Sequence, residues 1–440
     1  MPEPPHVYLC IDLKTFYASV ECAERDLDPF TTNLVVADTS RGPHTICLAI
    51  TPAMKALGIH NRCRLHDIPQ GVDYIAAKPH MKRYMEVSAG IYGIYLQYVS
   101  PQDVHVYSVD ECFIDATPYL KLYGLSAREF ADELRGAVLA RTGITATAGI
   151  GPNLFLAKVA LDITAKHAAD GIGELDEEGF RRQIWPHRPI TDIWGIGPGI
   201  AERLARYNVH DLMGVAALDE AILYREFGVN AEYLIDHAHG YEPTTIADIH
   251  AYQPTATSIS NGQVLPRDYT CAEARTVLHE MVESSVLELV EQHVVASGIS
   301  LGVGYAAGGG AEPGGAAGGG TARERRRSPG GRAGKQRRLG ERTNSRKKLM
   351  AAFDELWEEC VDPHRAIRRM NIGFGDLLPE EFATCDLFSD VAAEQREHDL
   401  QEAIVDVRGR FGRNALVKGV NLHPESTGCE RNEQVGGHHA

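Results

Sequence analysis

No cysteine pair in the chain has C-x-x-C spacing; the nine thiols, at positions 10, 22, 47, 63, 112, 271, 360, 385 and 429, are scattered and odd in number. That excludes a zinc knuckle and a disulfide framework, and predicts reduced, mostly buried cysteines. Nor is there a run of about 18 uninterrupted apolar residues, and the opening MPEPPHVYLCIDL lacks the basic stretch and small-residue cleavage site of a secretion signal, so the expected location is cytoplasmic, with no membrane partner. No internal repeat is visible. Aromatic residues make up only 7% and charged residues 24% of the 440, against 44% apolar. Those are the proportions of an ordinary folded chain of about two to four domains, not of a disordered, collagen-like or coiled-coil one. Positive charge is short: the net charge is −16, which by itself argues against nucleic acid as a partner. The average conceals a segregation, because residues 321–350 hold twelve Lys or Arg against Glu324 and Glu341, a local +10 that leaves −26 elsewhere.

The first 25 residues read as strand, turn and helix: an apolar run from His6 ends at Asp12, and Phe16 to Glu21 follows at helical spacing. Residues 26–75 read as a small unit, with strands at Leu34–Ala37 and Thr45–Ala49 and a short helix from Pro52 to Leu57. After helical patterning over 80–98, Val104–Asp110 and Cys112–Asp115 read as two strands meeting at an acidic hairpin. A helix near 126–141, a strand at Ala146–Ile150 and a helix from Pro152 to about Ala165 complete an α/β layer. Residues 171–245 are helical and turn-rich. From 253 an α+β unit begins, with strands at 256–260 and 263–265 and a helix opened by the capping box Thr270-x-x-Glu273, whose stripe is Val277, Leu278, Met281, Ser285 and Leu289. A strand at Ile299–Tyr305 then runs into a glycine-rich and basic stretch, read as a flexible, positively charged loop over about 306–345. Leu349, Phe353, Leu356 and Trp357 restart an amphipathic helix, and about 380–440 is expected to hold short motifs and a mobile tail.

The informative residues are Asp12, Asp110 and Glu111, one at a strand end and two on a hairpin. Carboxylates gathered at the ends of central strands need cations, and Mg2+, with its preference for oxygen ligands, is the natural one. Two such ions about 4 Å apart would activate an attacking hydroxyl, hold a triphosphate and stabilise a leaving oxygen, which is the chemistry of nucleotidyl transfer.

The segment IDLKTFYASVE at 11–21 is similar to the first catalytic motif of the Y-family translesion DNA polymerases of UmuC-like type, and YSVDECFID at 107–115 to their second. AGIGPNLFLAK at 148–158, followed by DITAK at 162–166, resembles the strand and helix that precede the thumb. With the Gly-Ile-Gly-Pro-Gly element at 195–199 and the later α+β unit, the resemblance covers about residues 5–425. It implies a right-hand polymerase: palm from 1–25 and 76–170, fingers 26–75, thumb with a helix–hairpin–helix 171–245, little finger 250–380 carrying the basic insert, and a C-terminal segment 381–440. It also implies that Asp12 and Asp110 bind two Mg2+ ions, that Glu111 completes the catalytic site, and that Leu13 offers its backbone carbonyl. Tyr17 takes the position of a steric gate against the 2′-hydroxyl, with Phe16 beneath the nucleotide; Lys55, with Thr51 nearby, and Lys166 fall where triphosphate contacts are made. This chain has Pro52 and Lys55 where better-known members have Tyr and Arg, and His167 where Pro normally follows the lysine.

Fingers of about fifty residues are too small for a long closing helix, so the enzyme is expected to be error-prone and, without room for an exonuclease, not to proofread. Gly195, Gly197 and Gly199 would let backbone N–H groups approach a phosphate, while Thr257, Ser258, Ser260 and Asn261 would meet phosphates from a sheet edge and the basic insert would add salt-dependent attraction. The expected partners are primer-template DNA and deoxynucleoside triphosphates. The TCDLF segment at 384–388 is similar to a sliding-clamp peptide, seating Leu387 and Phe388, although its usual leading Gln is missing. A monomer is expected. Two other readings stay open: a catalytically weak DNA-binding subunit of the damage response, and a nucleotidyl cyclase, which would explain the acids but not the glycine element or the basic block.

Overall fold

The apolar run at the start forms β1 (Tyr8–Leu13), and every side chain in it but that of Asp12 is buried. A strand covered on both faces belongs in the middle of a sheet. The computed structural model, which describes residues 6–253, 257–307, 330–384, 390–435 and 438–439, divides into two units, Met1–Gln253 and Pro254–Ala440. In the first, β1 leads through α1 (Phe16–Ala23), β2 (Leu34–Val36), β3 (Ala49–Ile50), α2 (Pro52–Ala56), β4 (Ile75–Ala77) and α3 (Met81–Tyr95) to the hairpin strands β5 (Val104–Val106) and β6 (Glu111–Asp115). Then come α4 (Ala127–Thr142), β7 (Ala146–Gly151), α5 (Leu154–Val159), β8 (Ile172–Glu174) and, further on, α6 (Pro198–Ala205).

The main sheet has the order β5-β6-β1-β7-β8. Alternation along β1 sends Leu9, Ile11 and Leu13 to a core shared with Tyr84, Ile91 and Ile94 of α3 and Phe130 and Leu134 of α4, and sends Tyr8 and Cys10 to the other face, against Leu154, Ala157 and Leu161. Helix α5 lies so close to the sheet that glycine is obligatory beneath it: a Cβ on Gly149 would stand 2.1 Å from the Ala157 carbonyl oxygen, and one on Gly173 would stand 2.4 Å from that of Ala160. Beyond Val159 the helix widens into a π-turn over Ala160–Thr164, a feature common at functional sites.

Residues 26–75 make a three-stranded sheet, β3-β2-β4, around Val35, Cys47, Ile50 and Met54. The strand expected at Thr45–Ala49 is displaced: only Ala49 and Ile50 pair as a strand, and Ile46 makes an isolated bridge to Arg64. The helical region beyond 171 packs Ile190, Ile193, Ile196 and Leu204 into a core shared with Phe155, Leu156 and Val159 of α5.

The second unit runs through β9 (Ser258–Tyr269), α7 (Cys271–Glu291), β10 (Val294–Tyr305), β11 (Arg332–Thr343), α8 (Arg346–Cys360), β12 (Ile367–Gly375) and α9 (Val391–Phe411), with antiparallel sheet order β11-β10-β12-β9. The capping box forms, the Glu273 carboxylate accepting from the Thr270 N–H at 2.8 Å, and the stripe on α7 is buried along its length, as are Leu349, Phe353, Leu356 and Trp357. Three expectations are corrected. The two strands expected at 256–260 and 263–265 are one, β9. Residues 332–343, read as part of a flexible loop, are the edge strand β11, paired along β10 from Gly304 opposite Arg332 to Gly298 opposite Arg338; residues 308–329 of that stretch lie outside the described residues. Within the segment read as a mobile tail, α9 is a 21-residue helix, whose Glu397 accepts from Ser345 Oγ at 2.7 Å and from the Lys347 N–H at 2.9 Å, capping α8. Among the described residues no helix is long and apolar enough to cross a membrane.

Because the clash at Gly149 is with backbone, which has no rotamer to yield, Gly149→Ala should destabilise the first unit by at least about 3 kcal/mol. Thermal or urea unfolding of the purified variant measures this, and an unchanged midpoint would contradict the packing described.

Candidate active site

Backbone pairing brings the three acids together. In the β1–β6 register Asp12 stands opposite Glu111, and the N–H of Leu13 donates to the Asp110 carbonyl at 2.9 Å. The β5–β6 connection is tight because the N–H groups of Tyr107 and Ser108 both donate to the Glu111 carbonyl, at 2.9 and 3.0 Å, while Ser108 Oγ donates to Asp110 Oδ1 at 2.7 Å. Thr15, at φ 49°, then reverses the chain into α1, so Phe16 and Tyr17 begin a helix just past the same strand end. The hydroxyl of Ser19 holds that reversal by donating to the Lys14 carbonyl at 2.7 Å.

Like charges at one strand end repel, and burial sharpens the repulsion. Burial, then Asp110 and Glu111, push the Asp12 carboxyl up to about 7. Burial also raises Glu111, and together with Asp162 and Asp110 it outweighs an ion pair with Lys158. Lys158 itself is 7% exposed and bonds both Glu111 and, at 3.0 Å, Asp162. Burial alone would lower its ammonium, but these two carboxylates hold it above its ordinary value. The sequence reading gave Lys158 no role. Its only local signal is an acid four residues on, at Asp162, on the same helical face.

The expectation that three carboxylates close around a pair of ions is not met as the side chains stand: among the described residues, no group of three or more His, Cys, Asp or Glu is close enough to hold a metal ion. The reason is physical. Two of the mutually repelled acids have taken other donors, Glu111 the Lys158 ammonium and Asp110 the Ser108 hydroxyl.

Around the acids, Phe16 is buried in the core, and the ring of Tyr17 stacks on Tyr84 with centroids 4.5 Å apart and an 18° interplanar angle. Burial and the Asp110 charge raise the Tyr17 phenol. The Lys55 ammonium is lowered by burial, with Asp12 opposing and Lys14 and Lys166 adding to the effect. Lys55 and Lys166 therefore meet in one field with Asp12, and Lys14, which the sequence reading passed over, joins them. Thr51 is a correction: its fully buried hydroxyl donates to the Thr32 carbonyl at 2.8 Å and caps α2, so it has no reach toward a substrate.

Gly195, Gly197 and Gly199 differ from the glycines under α5, because a Cβ on any of the three would meet no protein atom within 4 Å. Only Gly195, at φ 84°, is required by backbone conformation. The loop is tied to the acidic hairpin, since Trp194 Nε1 donates to the Tyr107 hydroxyl at 3.1 Å and the two rings meet edge to face. This link was not legible from sequence.

In the second unit, Ser258 and Ser260 are exposed on β9, an edge strand, opposite Gly375 and Gly373. The alternation that buries Ile299, Leu301 and Val303 of β10 assigns Gly298, Ser300 and Gly302 to the same outward face. There they lie beside Arg338 and Gln336 of β11 and Asn371 of β12. Asn261 is a correction: it turns inward, bonding Ser285 and accepting from Arg431 at 2.7 Å. The basic block is also partly spent inside the fold, where Arg337 pairs with Glu355 and Glu359, and Lys335 with Glu359; Arg338 stays largely exposed. Leu387 and Phe388 lie outside the described residues.

The impB/mucB/samB family pattern matches residues 11–162, and the pattern of that family's C-terminal domain matches 256–387. The DNA repair protein homolog YobH of Bacillus subtilis (strain 168) is 31% identical over 178 residues, 40% of this chain and 81% of that protein. The chain belongs to the impB/mucB/samB family. DNA polymerase IV 2 of Bacillus subtilis (strain 168) is 28% identical over 440 residues, 98% of each chain. Among solved structures, the Y-family DNA polymerase chimera Dbh-Dpo4(243-245)-Dbh shares the fold, with a TM-score of 0.60 at 17% identity over 85% of this chain and 99% of that one. The impB/mucB/samB match opens at Ile11 and closes at Asp162, so it encloses the three acids and both ends of the Lys158 ion pair.

The raised Asp12 carboxyl makes a signed prediction. Folded chains bind a proton there that unfolded chains have lost, so this group costs stability progressively as pH rises from about 4, the unfolded value, to about 7. In metal-free buffer Asp12→Asn should melt higher than the wild type, by a margin wider at pH 8 than at pH 5. Equal margins in parallel thermal melts would refute the repulsion.

Proposed function

We propose that the chain is a template-directed, error-prone translesion DNA polymerase acting in DNA damage bypass, and that its N-terminal unit carries the chemistry. The observation that bears most weight is the meeting of Asp12, Asp110 and Glu111 at one end of β1 and β6 inside the family match. On this reading β1, α1 and the sheet around them are the palm, residues 26–75 the fingers, 171–245 the thumb, and the β9–β12 sheet with its helices the little finger. A relative named DNA polymerase IV 2 that matches 98% of the chain supports it.

The donor chemistry fits a hard divalent cation. Asp12, Asp110 and the Leu13 carbonyl supply oxygen ligands, and Glu111 joins them on leaving Lys158. Two Mg2+ ions held there would lower the pKa of a primer 3′-hydroxyl and neutralise a triphosphate. The protein's own part is positioning. Lys55 and Lys166, with Lys14, present positive charge to the triphosphate; Tyr17 lies where a 2′-hydroxyl would clash; and Lys158 holds Glu111 until the cations take it. The open Gly195–Gly199 loop receives a DNA phosphate on its backbone N–H groups, and the outward face of the second unit's sheet, with exposed Ser258 and Ser260 at its edge and Arg338 on it, meets the duplex backbone. Fingers whose helices are as short as the five-residue α2 cannot sweep a long helix across the new base pair, so discrimination is loose. A sliding clamp gripping 384–388 and a monomeric state complete the reading.

Primer extension on a lesion-bearing template with Mg2+ tests it. The wild type should extend, whereas Asp110→Ala and Glu111→Ala should each lose at least about a thousandfold in rate, roughly 4 kcal/mol, yet still bind primer-template in a gel shift. Binding without extension by the wild type would favour the DNA-binding subunit, and cyclic nucleotide formed from triphosphate alone would favour the cyclase. Gly197→Ala should weaken DNA binding with little change in melting temperature, because its methyl group meets solvent, or a phosphate, rather than protein.

A further inference from the structure

Glu21 is a fully buried carboxylate one helical turn beyond Tyr17 on α1, where an aliphatic side chain would satisfy the core at less cost. Its two oxygens are saturated from two helices. Oε1 accepts from the Tyr84 hydroxyl at 2.6 Å and from His80 Nδ1 at 2.9 Å, and Oε2 takes the guanidinium of Arg25. Burial acts to raise this carboxyl, but the bonds from Tyr84, His80 and Arg25 outweigh it and leave it below its ordinary range, so it stays charged. His80 and Tyr84 sit at the start of α3. The carboxylate therefore locks α3 to α1 at the one point where the fully buried Tyr84 ring is stacked on Tyr17. A phenol whose hydroxyl is fixed by a charged acceptor cannot swing or slide away, and the ring stacked on it keeps its place.

We propose that Glu21 is a positioning residue for sugar discrimination: by clamping the Tyr84 hydroxyl it keeps in place the ring on which Tyr17 stacks, and so holds Tyr17 where it excludes a ribonucleotide. This rests on Tyr17 being the sugar gate. A stacked aromatic pair is worth about three- to tenfold in an equilibrium, so releasing the support should relax selectivity by that factor without touching the acids or lysines that act on every nucleotide.

The test is the ratio of kcat/KM for a ribonucleoside triphosphate to that for the matching deoxynucleoside triphosphate, both measured on one preparation, so that the folded fraction cancels. Tyr84→Phe removes only the hydroxyl, and Glu21→Leu removes the acceptor while filling the space. Each should raise the ratio about three- to tenfold, and Tyr84→Phe should add nothing in a Tyr17→Ala background, where the gate is already gone. If Tyr17→Ala raises the ratio but Tyr84→Phe and Glu21→Leu leave it at the wild-type value, the clamp is a structural staple only and the inference is overturned while the gate stands. If Tyr17→Ala itself leaves the ratio unchanged, the gate reading falls and takes the inference with it.

Discussion

Repulsion among Asp12, Asp110 and Glu111 is the constraint around which the first unit is built. The β1–β6 register compels it: Asp12 cannot move away from Glu111 without slipping the central strand by a residue, and such a slip would turn Leu9, Ile11 and Leu13 out of their core. The acids are thus held together by apolar burial, against their own electrostatics. Lys158 on α5 answers this by pairing with Glu111, and Lys14, Lys55 and Lys166 add positive charge to the same field. An apolar sheet that forces charge into one place, with lysines distributed round it, is suited to a highly charged reactant such as a nucleoside triphosphate.

Glycine serves two opposite purposes in the same molecule. At 149, 151 and 173 it permits a helix to lie directly on the sheet, and each position is closed by backbone atoms of the chain itself. At 197 and 199 nothing in the chain closes the space. The tetrapeptide Gly-Ile-Gly-Pro occurs at both 149–152 and 195–198, yet the first serves internal packing and the second faces outward. The surroundings of each copy, rather than its letters, decide which purpose it has.

The sequence was legible where local rules and tertiary structure agree. The strand ending at Asp12, the acidic hairpin, the capping box at Thr270 and the stripes on α7 and α8 all follow from period, cap and turn chemistry, and the motif resemblance led to the family. It was not legible where a segment borrows its structure. β11 reads as a loop because arginines and glycines replace its apolar alternation; pairing with β10 and ion pairs to Glu355 and Glu359 make it a strand. α9 buries only Gln401 and Ile404 and is fixed through contacts such as that of Glu397 with the start of α8. In the active site, the positions of the acids were read from motif spacing, but Lys158, the Tyr107–Trp194 link and the Glu21–Tyr84 clamp join residues 47 to 87 positions apart. No window along the chain exposes such pairs. Thr51 misled for the converse reason: its neighbour in sequence, Lys55, shares a field with Asp12, but its own hydroxyl is spent on a helix cap.

The central claim is that these half-buried acids are kept together in order to share divalent cations with a nucleotide. Counting bound Mn2+ by electron paramagnetic resonance, with a chain-terminated primer-template and the matching nucleoside triphosphate present, tests that most directly. The account predicts two protein-dependent ions per wild-type chain and at most one in Asp12→Asn. The same number bound with the same affinity by both proteins would contradict it.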